Sequence, residues 1–68
     1  MPSTAIRRFV YDPEAEALDV TFVTGRRYRY LAVPAAVVEA FKEAQSKGGF
    51  FNAEIRDHYA FEELARGW

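Results

Sequence analysis

Arg26, Arg27, Tyr28, Arg29 and Tyr30 form the stretch of this sequence richest in side chains that do chemistry. Guanidinium groups clamp phosphates and phenol rings stack on unpaired bases, so arginine interleaved with tyrosine suits nucleic-acid contact. The same spacing also describes an ordinary strand, whose side chains alternate between two faces. On that reading Tyr28 and Tyr30 share a face with Leu18, Val20 and Phe22 and point into the core, their hydroxyls reaching its rim. Arg27 and Arg29 then leave on the open face, where Arg7 or Arg8 of an earlier strand joins them. Asp19 and Thr21 dilute that surface. Val23 and Leu31 add exposed apolar area of the kind that marks contact surfaces.

Other chemistry-bearing residues are sparse. His58 is the sole histidine, and there is no cysteine, so no metal-ligand spacing, disulfide or thiol nucleophile arises. Ser3, Thr4 and Ser46 have no neighbouring base that would activate a hydroxyl. Glu14/Glu16 and Glu62/Glu63 fall on turn-like or terminal stretches, where nothing raises a carboxyl pKa for acid–base work. The expectation is therefore no catalytic residue, no metal and no cofactor: a binding module and not an enzyme. One further anion-binding stretch is the run 46–52, in which Lys47, two glycines and the start of a helix offer backbone N–H groups, with Arg56 one turn on.

The elements that position these residues follow from pattern. Residues 5–11 are β-branched and aromatic and precede Asp12-Pro13, a turn opener. Ile6, Arg8 and Val10 point one way and Arg7, Phe9 and Tyr11 the other, which leaves the buried face open; a bulge would let Ile6 join Phe9 and Tyr11 in the core. Residues 17–23 alternate, with Leu18, Val20 and Phe22 on one face. Thr24-Gly25 turns the chain, Gly25 taking a positive φ, and 26–32 alternate again. After Pro34 the apolar period changes. Val33, Ala36, Val37, Ala40, Phe41 and Ala44 repeat at helical spacing, predicting a helix over 34–46 that Lys47-Gly48-Gly49 stops with a left-handed glycine. Asn52 is the expected N-cap of a short helix bearing Phe51, Ile55 and Tyr59. Residues 60–68 extend that helix or run as an ordered tail. The fold class is thus α+β: a three-stranded antiparallel meander covered on one face by a helix, with a short C-terminal helical or irregular segment, β-β-β-α-α.

With 68 residues the chain is one domain. A chain this short buries only about 60% of its unfolded surface, leaving a stability of a few kcal/mol. Half its residues are hydrophobic and 16% aromatic, which favours a packed core over disorder. Net charge is −1, so nucleic-acid binding has to come from a local patch. No apolar run suits a membrane span and residues 1–8 hold no signal core, so the expectation is a cytoplasmic protein without a membrane partner.

An ordered series now stands out: Tyr11-Asp12, then Leu18, Val20 and Phe22, Gly25, Tyr28-Arg29-Tyr30 and Val33-Pro34. It continues with Ala44, Ser46, Gly48, Phe51 and Asn52, and ends on Ile55-Arg56-Asp57 and Tyr59. This series resembles the KTSC domain, named for the C-terminal region of certain lysyl-tRNA synthetases and found also as small bacterial proteins. The resemblance runs from about Ile6 to Leu64, and the family's Tyr-x-Tyr matches Tyr28 and Tyr30. Ala60 departs from it, since members often carry proline after the tyrosine. Attachment to a synthetase implies RNA, tRNA above all, as partner.

Two functional expectations follow. The first is a non-enzymatic RNA-binding module in which Arg7, Arg27 and Arg29 contact phosphate, Lys47 and Arg56 extend the strip, and Tyr28 and Tyr30 stay in the core. The second is a protein-interaction or self-association module using the open face and the sheet edges.

Overall fold

The computed structural model describes residues 6–64. The expected start of the first strand at Ala5, the residues Ser3 and Thr4, and the tail 65–68 lie outside the described residues. Strand β1 (Ile6–Asp12) stops where Asp12 Oδ1 accepts the Glu14 and Ala15 amides, at 3.1 and 3.4 Å. The carboxylate replaces a backbone acceptor and Pro13 fixes φ, so the chain turns there. Strand β2 (Ala17–Phe22) returns antiparallel and buries Leu18 and Val20 completely. Its hairpin to β3 (Arg27–Tyr30) closes with Gly25 N–H donating to Phe22 O and Phe22 N–H to Arg26 O, each at 2.9 Å. Gly25 sits at φ +93°, the left-handed position a three-residue hairpin loop requires.

The pairing of β1 with β2 shifts register between Ile6 and Arg8. Arg7 is the extra residue of this bulge, which lets Ile6, Phe9 and Tyr11 all pack on the core as the sequence suggested.

Among the described residues the sheet has four strands, not three, in the order β1-β2-β3-β4. Strand β4 (Phe61–Leu64) lies antiparallel on the outer edge of β3, so this part of the last segment is neither helix nor irregular tail. The reason is an open ladder: without β4 the N–H and C=O groups of β3 on that side would lack partners. Leu31 N–H extends the pairing, donating to Ala60 O at 2.9 Å.

The helical cover also differs from the expectation. Helix α1 (Ala35–Glu43) is shorter than 34–46, with Pro34 as N-cap and Ala44 already extended at ψ 137°. Gly48 and Gly49 do not stop it in a left-handed conformation; they lie inside a second helix, α2 (Lys47–Phe50). Ser46, not Asn52, caps that helix, its hydroxyl accepting the Gly49 amide at 3.0 Å. Helix α2 runs directly into a π-helical turn, Phe51–Ile55. Two segments therefore share the cover. Phe41 of α1 stacks on Phe9 with centroids 4.2 Å apart, over the β1 side. Phe51 meets Phe22 and Tyr30 edge-on at 5.4 and 5.3 Å, over the β2–β3 side. Phe41 and Phe50 stack between the two segments at 5.5 Å. Tyr11 secures the linker ahead of α1, its hydroxyl donating to Val33 O at 2.7 Å.

Candidate ligand cleft

Pairing of the strands sorts the arginine–tyrosine stretch by face. On the open face one row runs Val10, Asp19, Arg29, Glu62 across all four strands, and the next runs Arg8, Thr21, Arg27, Leu64. On the covered face the rows are Tyr11, Leu18, Tyr30, Phe61 and Phe9, Val20, Tyr28, Glu63.

The open face is not a free cationic strip. Arg29 donates to both oxygens of Asp19, Nε at 2.8 Å and Nη2 at 3.2 Å, with Glu62 opposite it on β4. This pairing raises the Arg29 pKa above its usual value, chiefly through the Asp19 hydrogen bonds. Arg27 occupies the open face between Thr21 and Leu64 as expected. Arg8, in register with Thr21, is the first-strand arginine beside it, while Arg7 belongs to the bulge. Lys47 is engaged elsewhere: its Nζ donates to Ala44 O at 2.6 Å, satisfying a carbonyl where α1 ends.

The covered side bears a different feature, a cleft of about 470 Å³ beside the β2–β3 hairpin. Tyr30, 4% exposed, and Phe51, 2% exposed, form its floor. Phe22, half-buried Tyr28 and Phe61 of β4 line it as one run of touching rings. Tyr28 and Phe61 stand perpendicular, centroids 5.6 Å apart and planes at 88°. Phe61 is 54% exposed, a large ring left at the mouth. Tyr30 is thus the core ring the alternation suggested, whereas Tyr28 is shared between core and cleft.

The polar rim comes from both ends of the cleft. From the hairpin, Arg26 reaches Glu63 of β4 with Nε at 3.0 Å and Nη2 at 3.2 Å, an ion pair that raises the Arg26 pKa. From the opposite side come Arg56 and Asp57. The π-turn places them. Arg56 N–H bonds to Phe51 O at 2.8 Å, five residues back instead of four. Phe51 and Ile55 are both buried, and past the extra residue the chain emerges at the cleft with Arg56 and Asp57 exposed. Arg56 Nη1 donates to Asn52 Oδ1 at 3.3 Å. Burial holds the Tyr30 phenol above its usual pKa; Tyr28 and Asp57 push it the same way and Arg56 opposes them. Arg56 and Asp57 therefore act on one point of the cleft floor with opposite sign.

Of the residues singled out from sequence, the cleft gathers Tyr28, Tyr30 and Arg56, together with Val23, which was expected on the open face, and leaves Arg7, Arg27, Arg29 and Lys47 outside. Arg26 was singled out only as part of the arginine–tyrosine stretch, and Asp57 and Phe61 were not anticipated as site residues. Only placing β4 against β3 would have revealed Phe61. His58 is bonded to the main chain, Nε2 lying 3.0 Å from Ala53 O. No group of three His, Cys, Asp or Glu side chains that could hold a metal occurs among the described residues, and no helix there is long and apolar enough to cross a membrane.

The site defines a small α+β domain whose sheet ends in a ring-walled, electrically mixed cleft. Comparison with known proteins agrees with that class and gives it a family. The sequence profile of the KTSC domain matches residues 2–59. A protein of Stutzerimonas stutzeri is 44% identical over 62 residues, covering 90% of this chain and 87% of that one. A lysine–tRNA ligase of Nostoc punctiforme is 36% identical over 62 residues, 91% of this chain but 11% of the ligase. The crystal structure of a KTSC domain protein from Yersinia pestis superposes with a TM-score of 0.86 at 30% identity, covering 96% of this chain and 94% of that one. The chain belongs to the KTSC domain family.

Proposed function

We propose that this KTSC domain is a non-enzymatic RNA-binding module and that unpaired bases enter the ring-walled cleft. The observation that carries the reading is the perpendicular Tyr28–Phe61 pair at the mouth of a roughly 470 Å³ recess. A base stacks on the exposed ring of Phe61, and stacking of this kind is worth about 1–3 kcal/mol per base. Arg26 stands at the rim for a flanking phosphate, which competes with Glu63 for its guanidinium. Similarity to a segment of lysine–tRNA ligases supports tRNA as the RNA to test first.

The open face, with Arg8 and Arg27 in one row, is the second place for phosphate. Arg29 contributes little there, because Asp19 and Glu62 compensate it. Titration of tRNA and of single-stranded oligonucleotides at several salt concentrations tests the proposal. The log–log slope should be about −0.7 per phosphate contact on single strands. Absence of binding, or binding insensitive to salt, contradicts it.

A second reading, a protein-interaction or self-association module, is favoured by Val10 and Leu31, 60% and 39% exposed on the open face. Sedimentation at increasing concentration and a pull-down test it; a strict monomer without a protein partner counts against it.

A further inference from the structure

The base that the cleft accepts can be argued from its rim, on the footing that the RNA reading above holds. Two adjacent residues after the π-turn, Arg56 and Asp57, place a guanidinium and a carboxylate at the same opening. Both line the cleft whose floor is Tyr30, and their charges act on its hydroxyl with opposite sign. Arg26, across the cleft, is already held by both oxygens of Glu63. The rim as a whole is neutral, with Arg26 and Arg56 balanced by Glu63 and Asp57. A methylated ammonium would suit aromatic walls, but Arg56 opposes a cation. An isolated phosphate would suit Arg56, but Asp57 opposes an anion. A neutral ring with strong, spatially separated donors and acceptors is opposed by neither.

We infer that the cleft selects guanine. A carboxylate only accepts hydrogen bonds and a guanidinium only donates them. Guanine presents two adjacent donors, N1–H and the N2 amino group, along one edge, and two adjacent acceptors, O6 and N7, along the next. Asp57 takes the donor pair and Arg56 donates to the acceptor pair, the arginine–guanine contact being the commonest specific one. Adenine sets a donor beside an acceptor on each of those edges. Cytosine and uracil each offer a carboxylate a single donor group and have no N7. Asn52, bonded to Arg56 Nη1, positions the guanidinium and leaves its remaining N–H groups for the base.

The experiment uses the intact 68-residue chain and uridine heptamers whose central base is G, A, C or U, with affinity read by calorimetry or tyrosine fluorescence. The guanine heptamer binds about tenfold or more tighter than the others. Inosine at the centre, which lacks the N2 amino group, falls between guanine and adenine. Asp57→Asn, an exposed substitution, lowers affinity for the guanine heptamer about tenfold, toward that of the other three centres. Arg56→Gln weakens the guanine heptamer most. Equal affinity for all four centres, or a preference that survives both substitutions, overturns the inference and leaves RNA binding standing. No binding by any heptamer overturns both.

Discussion

Tyr28 and Phe61 meet edge to face at 5.6 Å and 88° although 33 positions of sequence separate them, and they form the mouth of the cleft. The contact exists because β4 pairs with β3, and only the covered side of that pairing carries rings. Replacing Phe61 by Ala should lower RNA affinity about 5- to 100-fold, the equivalent of one lost stacking partner. Phe61 is half in solvent, so the thermal midpoint should move little by comparison. Parallel oligonucleotide titrations and thermal melts of wild type and Phe61→Ala check both halves of the expectation.

Phe41 is fully buried and joins the two halves of the helical cover, stacking on Phe9 and on Phe50. Phe41→Ala should cost ~3–5 kcal/mol. A domain of this size has a stability of only a few kcal/mol, so circular dichroism at 25 °C should show a largely unfolded chain.

Much of this frame is legible in the sequence, and the parts that are not share a cause. The alternation around Leu18 and Val20, Asp12-Pro13, Thr24-Gly25 and the bulge near Ile6 are all local signals, and each stands where the pattern put it. Residues 61–64 mislead because Phe61 and Leu64 are three apart, a helical spacing; what makes them a strand is the free edge of β3, a non-local partner. Gly48 and Gly49 look like a helix stop because glycine favours left-handed turns, yet here the Ser46 hydroxyl caps a new turn through the Gly49 amide. The cleft was hidden for the same reasons. Part of its ring lining is β4, and its rim residues Arg56 and Asp57 emerge from a π-turn that leaves no sequence mark.

Two non-glycine residues, Glu16 at φ 52° and Ala32 at φ 58°, occupy the left-handed region. They flank a cross-link, Val33 N–H to Glu16 O at 2.9 Å, which holds the chain between sheet and α1. An L-residue there costs about 1–2 kcal/mol, and glycine gives back part of that gain as unfolded-state entropy. Ala32→Gly should therefore raise stability by up to about 1 kcal/mol. Gly25→Ala should lower it by up to about 1 kcal/mol, the same two terms acting with opposite sign. A Cβ at Gly25 meets nothing within 4 Å, so that loss is conformational alone. Urea melts of the two variants against wild type give both signs.

Alkaline pH should destabilise the fold through its phenols. Tyr30 and Tyr11 both have pKa values raised in the folded state, burial being the first cause in each. The native state therefore holds protons that the unfolded chain releases near its ordinary tyrosine pKa of about 10. Their contribution is complete below about pH 10 and is lost as pH climbs from there through the folded pKa values. Denaturant midpoints between pH 8 and 11.5 should fall over the upper part of that range, and Tyr30→Phe should flatten the fall.

Backbone-resolved chemical shifts, followed as single-stranded RNA is added to the labelled domain, separate the two faces of the sheet in one titration. The largest changes should fall on Thr24, Arg26, Tyr28, Arg56, Asp57 and Phe61, around the cleft. Changes confined to Arg8, Thr21, Arg27 and Arg29 of the open face, with the cleft residues unmoved at saturation, would contradict base binding on the ring side.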